Sequence, residues 1–178
     1  ELSDETQQKT RTIQQLQAEL EQQKEEFAAL KEESLNREQE LRDLFSEIAS
    51  LSDILVGNEE DFQLCLGIEG PEAGGDDLAN KIDRFKGMIE RAKKAFPNAA
   101  VFATTLRQVV STNCHLWGAI MSVGDQWHVV EPREITVLDR IGGGDGFVGG
   151  LLYAVLKGWD PEKWVQFGWA SGALATTL

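Results

Sequence analysis

Glycine, proline and tryptophan are all missing from the first 56 residues of this 178-residue chain. A stretch without them has no residue that breaks a helix or turns the backbone sharply. Cysteine is scarce: Cys65 and Cys114 are the only two, and they lack CxxC spacing. They read as buried, inert thiols of a reduced protein, with a cytoplasmic location as the expectation. Cations are also few, 17 Lys and Arg against 30 Asp and Glu, for a net charge of −13. Non-specific binding to nucleic acid or to an anionic membrane needs a cationic face, so neither is an expected partner. No apolar run reaches the roughly 18 residues of a membrane span. The acidic, polar N-terminus is unlike a signal peptide.

What fills the glycine-free part is a heptad. With position a at Ile13, a falls on Ile13, Leu20, Phe27, Ser34, Leu41, Ile48 and Leu55. Position d falls on Leu16, Gln23, Leu30, Arg37, Leu44 and Leu51. An apolar repeat every 3.5 residues is the pattern of a coiled coil. In a parallel dimer, Glu19 faces the partner's Lys24 and Glu26 faces the partner's Lys31, both attractive; Glu33 against the partner's Glu38 repels. Ser34 and Arg37 are a weak consecutive a and d, so the coiled coil ends, loosens or changes role there. Residues 36–51 suit equally an amphipathic helix lying on a domain. The expected organisation is a long helix forming a dimeric coiled coil over 1–51, then an α/β domain over 52–178, with the join somewhere in 35–52.

All 17 glycines, 4 prolines and 5 tryptophans lie in the second part. SDILVGN reads as a strand, and Asn58 as the cap of a helix through EEDFQLCLG. PEAGGDD reads as a loop. DDLANKIDRFKGMIERAKKAF repeats apolar residues at helical spacing through Leu78, Ile82, Phe85, Met88 and Ile89, and Pro97-Asn98 ends it. AAVFATTL is a buried-strand candidate. HLWGAIMSV and QWHVVEP flank Gly124-Asp125, a hairpin signal. EITVLD reads as a further strand. GDGFVGGLLYAVLKG and PEKWVQFGWASGALATTL read as helices, the second with Pro161 in its first turn. Strands alternating with helices predict an α/β layered fold with a largely parallel sheet. His115 and His128 read as satisfied structural residues, and Trp159, Trp164 and Trp169 as core.

The chemistry is expected in DRIGGGDGF. A strand, a glycine loop and a helix put Gly142, Gly143 and Gly144 at a helix N-terminus. There the backbone N–H groups lack helical partners and the macrodipole is positive. Glycines let such backbone approach an anion. Asp145 in the first turn is placed to take a proton from an attacking hydroxyl. The same pattern suits a plain glycine-rich turn followed by an ordinary N-terminal helix acid. No GK[ST] follows, so this is not a Walker A loop, and it is not GxGxxG after a first strand.

DRIGGGDGF resembles the GxGD signature of the ribokinase-like (phosphofructokinase-B) carbohydrate kinases. DILVGNEEDFQLCLG, VFATTLRQVVSTN and WASGALATTL extend the likeness over residues 50–178, most nearly to the 2-keto-3-deoxygluconate kinases. The resemblance implies the C-terminal part of a three-layer α/β/α fold and phosphorylation by ATP of a hydroxyl on a sugar acid such as 2-keto-3-deoxygluconate. It implies Asp145 as the base and Gly142, Gly143 and Gly144 as the anion hole. Asn58-Glu59-Glu60-Asp61 resembles the family's NxxE motif, linked to Mg²⁺ and phosphate, with the shorter Asp61 in fourth place; Glu60 or Asp61 would take that role. Thr105-Leu106-Arg107 falls where the family has a Thr-Leu-Gly turn near the nucleotide, which implies nucleotide contacts for Asn58, Thr105 and Arg107. Nothing before residue 50 resembles a sugar-kinase half, so the chain reads as a chimera or fragment. The competing expectation is a catalytically incomplete assembly module that self-associates through its coiled coil.

Overall fold

The computed structural model of the chain describes residues 2–70 and 78–177. The PEAGGDD loop lies outside the described residues, as do the side chains of Ile13 and Leu78. Helix α1 runs over Leu2–Ser50, strand β1 over Ile54–Val56 and helix α2 over Leu78–Ala95. Strands β2, β3 and β4 span Val101–Ser111, Cys114–Val123 and Gln126–Thr136. Helices α3 and α4 span Gly143–Leu156 and Pro161–Thr177. Two compact units result, Glu1–Leu41 and Arg42–Leu178. The first is a single helical segment whose described side chains are all exposed. The second holds everything that follows.

The second unit is a four-stranded sheet in the order β1-β2-β3-β4 with helices on both faces. This is the three-layer arrangement expected, but the sheet is not largely parallel. Only β1 and β2 are parallel; β2–β3 and β3–β4 are antiparallel hairpins. The physical reason is loop length. Two-residue connections, Thr112-Asn113 and Gly124-Asp125, permit only antiparallel neighbours. Gly124 takes φ 55° in the second of these turns, as a two-residue hairpin with glycine in first place requires.

Val101–Leu106 of β2 and most of β3 are buried on both faces, so they read as largely apolar runs. Phe102, Leu106 and Ile120 face α2 and the end of α1, meeting Ala49, Phe85, Met88 and Ile89. Val101, Ala103, Ala119 and Met121 face the other way, onto Phe147 and Leu151 of α3 and Val165 of α4. QWHVVEP and EITVLD are one strand rather than two. Trp117 pairs with Arg133 but Ala119 with Val130, so β4 carries an extra residue opposite Gly118. That bulge accommodates Pro132, which cannot donate to a ladder. A Cβ on Gly118 would lie 2.8 Å from the Val130 carbonyl oxygen. VFATTLRQVVS likewise continues as strand to Ser111, so Thr105-Leu106-Arg107 is mid-strand and not a turn.

Candidate functional site

The loop between β4 and α3 is anchored at both sides. The Leu138 and Asp139 N–H groups donate to the Thr176 carbonyl of α4 at 2.9 and 3.4 Å. Val137 N–H donates to the Asn113 carbonyl at 2.9 Å. Asp139 Oδ1 accepts from Ile141 N–H at 2.9 Å, an aspartate turn closed on its own backbone. Gly142 is the N-cap of α3 with φ 84° and ψ −6°, a left-handed conformation costing other L-residues about 1–2 kcal/mol. Its carbonyl takes the first helical bond, from Gly146 N–H at 2.8 Å.

The three glycines therefore do different things. Gly142 makes the turn. Gly143 makes room, since a Cβ there would fall 2.7 Å from Thr176 Cγ2 and 2.8 Å from the end of the Trp117 ring. Gly144 is exposed with open space around its Cα. Gly143 N–H reaches the Arg140 carbonyl at 3.4 Å. The amides of Gly144 and Asp145 belong to the first turn, where helix geometry supplies no acceptor. Asp145 is exposed beside them. First-turn amides, a positive helix end and an exposed carboxylate are the chemistry that could receive an anion beside a proton acceptor.

Two cations serve the same neighbourhood. His115 on β3 is buried, and burial holds its pKa below the ordinary value, with the charges of Arg107 and Arg140 pushing the same way. Arg107 pairs across the ladder with Trp117, whose ring meets Gly143. By strand alternation, Thr105 and Arg107 share the sheet face of Ala103, the face that carries α3 and α4. The fold thus sets Thr105, Arg107, Arg140 and the Gly142–Asp145 turn on one side of the sheet. His115 is not the satisfied residue expected: among the described residues its Nδ1 has no hydrogen-bond partner, nor has Nε2 of His128.

Asn58, Glu60 and Asp61 sit after β1 and form a capping box. Asn58 Oδ1 accepts from the N–H groups of Glu60 and Asp61 at 2.7 and 2.9 Å, and Asp61 Oδ2 accepts from Asn58 N–H at 2.8 Å. The cap is as expected; the helix behind it is a π-turn over Asp61–Cys65. β1 and β4 point the same way, so this turn and the glycine loop both follow carboxyl ends of strands, where α/β sheets bind ligands. No hydrogen bond or ion pair among the described residues joins the two turns. Glu60 and Asp61 offer the hard, exposed oxygens that Mg²⁺ prefers, with one Asp61 oxygen already used by the cap. Among the described residues there is no cluster of three or more metal-ligating side chains.

The family model for pfkB carbohydrate kinases matches residues 5–178. The chain belongs to the pfkB family. The match begins within α1, well before residue 50 where the sequence motifs start. The 5-dehydro-2-deoxygluconokinase of Clostridium tetani is 26% identical over 144 residues, 81% of this chain and 37% of that one. The crystal structure of 2-dehydro-3-deoxygluconokinase from Thermotoga maritima superposes with a TM-score of 0.69 at 28% identity, covering 79% of this chain and 41% of that one. A structure assigned as a 2-keto-3-deoxygluconate kinase from Enterococcus faecalis gives 0.62 at 28% identity, over 77% and 38%. This pfkB chain spans about two fifths of the length of these relatives. Among the described residues no helix is long and apolar enough to cross a membrane.

Sequence reasoning missed Thr176, Trp117 and Arg140 as parts of this site. Asp139 had a local signal, an aspartate two residues before a turn amide. Thr176 and Trp117 had none, because each meets the loop from a distant element.

Proposed function

We propose that this pfkB chain carries the phosphoryl-transfer side of a sugar kinase that phosphorylates a hydroxyl of a sugar acid such as 2-keto-3-deoxygluconate, with ATP as donor. The observation behind it is the α3 N-terminus, where Gly142 at φ 84° opens the first-turn amides beside an exposed Asp145. In this reading Asp145 accepts the proton of the sugar hydroxyl as its oxygen bonds to the γ-phosphorus. The bond from that phosphorus to the bridging oxygen breaks, and ADP leaves with the electron pair. The amides of the Gly142–Gly144 turn hold the charge on the transferring group. Arg107, with Thr105 beside it, and Asn58 contact the nucleotide. Glu60 and Asp61 would hold Mg²⁺, which supplies positive charge to the phosphates. Kinase activity in the relatives' names, together with family membership, favours this reading over an assembly module without chemistry.

The test is ATP- and Mg²⁺-dependent turnover of 2-keto-3-deoxygluconate and 5-dehydro-2-deoxygluconate, with the phosphosugar detected by mass. Asp145→Asn is expected to lower turnover by about 10²–10⁴-fold, the usual share of a general base. Equal turnover by Asp145→Asn removes Asp145 as the base. No phosphosugar from the unaltered chain removes the kinase reading for this chain.

A further inference from the structure

The heptad of α1 is laid out on the structure as an unpartnered stripe. Leu16 and Leu30 at d are 58% and 64% exposed, and Leu20 and Phe27 at a are 51% and 70% exposed. Four large apolar side chains on one face of a solvated helix are a cost unless something covers them. The last turns of α1, which belong to the second unit, leave heptad positions exposed as well. There Ala49 is the buried residue, whereas Leu44 and Ile48, next in the heptad, remain 52% and 53% exposed.

Charge decides what covers it. Position g is glutamate at 19, 26, 33 and 40, and position e is lysine at 24 and 31. Two parallel copies face g to e, which sets Glu19 against the partner's Lys24 and Glu26 against the partner's Lys31. Two antiparallel copies face g to g and e to e, which sets acid against acid and lysine against lysine. The pattern stops after Lys31. Glu33 would meet the partner's Glu38, Ser34 is small and polar, and Arg37 puts a charge at position d.

We propose that residues 13–33 of α1 form a parallel two-stranded coiled coil with the same segment of a second copy of this chain. Three heptads with one polar d residue, Gln23, make a short seam. The dimer is therefore reversible and concentration-dependent, and beyond Lys31 the helices part. This inference does not depend on the kinase reading.

Sedimentation equilibrium of the full chain at near-physiological salt tests it. The mass should climb with concentration from 19.7 kDa towards twice that value. A mass constant at one chain, or one converging on three or four chains, overturns the proposal. Leu20→Asp with Leu30→Asp should hold the chain at the monomer mass, while tryptophan fluorescence, arising wholly from the second unit, stays unchanged. A charge exchange avoids apolar changes altogether. Lys24→Glu with Lys31→Glu, and separately Glu19→Lys with Glu26→Lys, should each weaken self-association, and an equimolar mixture should restore it. A mixture that stays monomeric contradicts the assigned pairing. Orientation is read from Leu20→Cys in a Cys65→Ser, Cys114→Ser background. Mild oxidation should link two copies covalently, and a dimer that never cross-links would exclude the parallel arrangement.

Discussion

Burial of His115 disfavours its charged form, and the charges of Arg107 and Arg140 push the same way. Its folded pKa lies below its ordinary value, so the unfolded chain binds the proton first. Between those two values the unfolded state holds more protons, and stability rises with pH. The contribution is complete above about 6.5, the unfolded value, and is lost as pH falls below it towards the folded value. His115→Gln cannot titrate and is expected to flatten the acid side of the stability profile. Urea unfolding of both proteins at several pH values from about 8 to 5 reads this directly. Parallel profiles would assign the acid sensitivity to another group. At this scale the glycine–aspartate turn was legible because its meaning is local: a run of glycines before an acid at a helix start. The environment of His115 was not, because Arg107 and Arg140 arrive from β2 and from the loop after β4.

The α3–α4 pair shows how one element sets the shape of another. Glycines at 143, 146 and 150 on α3 face Gly168 and Gly172 on α4, close enough that added Cβ atoms would lie 2.7–3.0 Å from the nearest atoms. Small residues let the two backbones approach, and that approach brings the Thr176 carbonyl to Leu138 and Asp139. Gly143→Ala is expected to cost about 1–3 kcal/mol through overpacking against Thr176 and Trp117. Chemical denaturation measures it, and an unchanged midpoint would mean that the Trp117 ring yields without strain. The helices α2, α3 and α4, the Asn58 cap and the Gly124-Asp125 hairpin were readable from periodicity and turn chemistry. The far half of β2 was not. Its Arg107–Ser111 portion is mostly exposed and polar, so it lacks the apolar run that marked Val101–Leu106. Pro132 read as a strand end because nothing local announces that Gly118, on the next strand, leaves space for a bulge.

For the second unit as a whole, stability rests on a sheet covered on both faces. Ile120 is fully buried at the centre of β3, against the helices of one face. Ile120→Ala is expected to cost about 2–5 kcal/mol, whereas Val110→Ala on the exposed end of β2 should stay within about 0.5 kcal/mol. Thermal melts of the two variants compare them, and similar losses would refute the assigned core. The sequence by itself determined the heptad helix, the α/β character of the rest, the kinase resemblance and the position of Asp145. Each of these is written in neighbouring residues or in a short period. Tertiary structure alone decided that the sheet is mixed, that Thr105 and Arg107 lie mid-strand on the face of α3, and that Gly143 is a packing site as well as a turn residue. Those facts depend on which strands pair and how closely two helices approach, and both are settled by contacts between residues far apart in the chain.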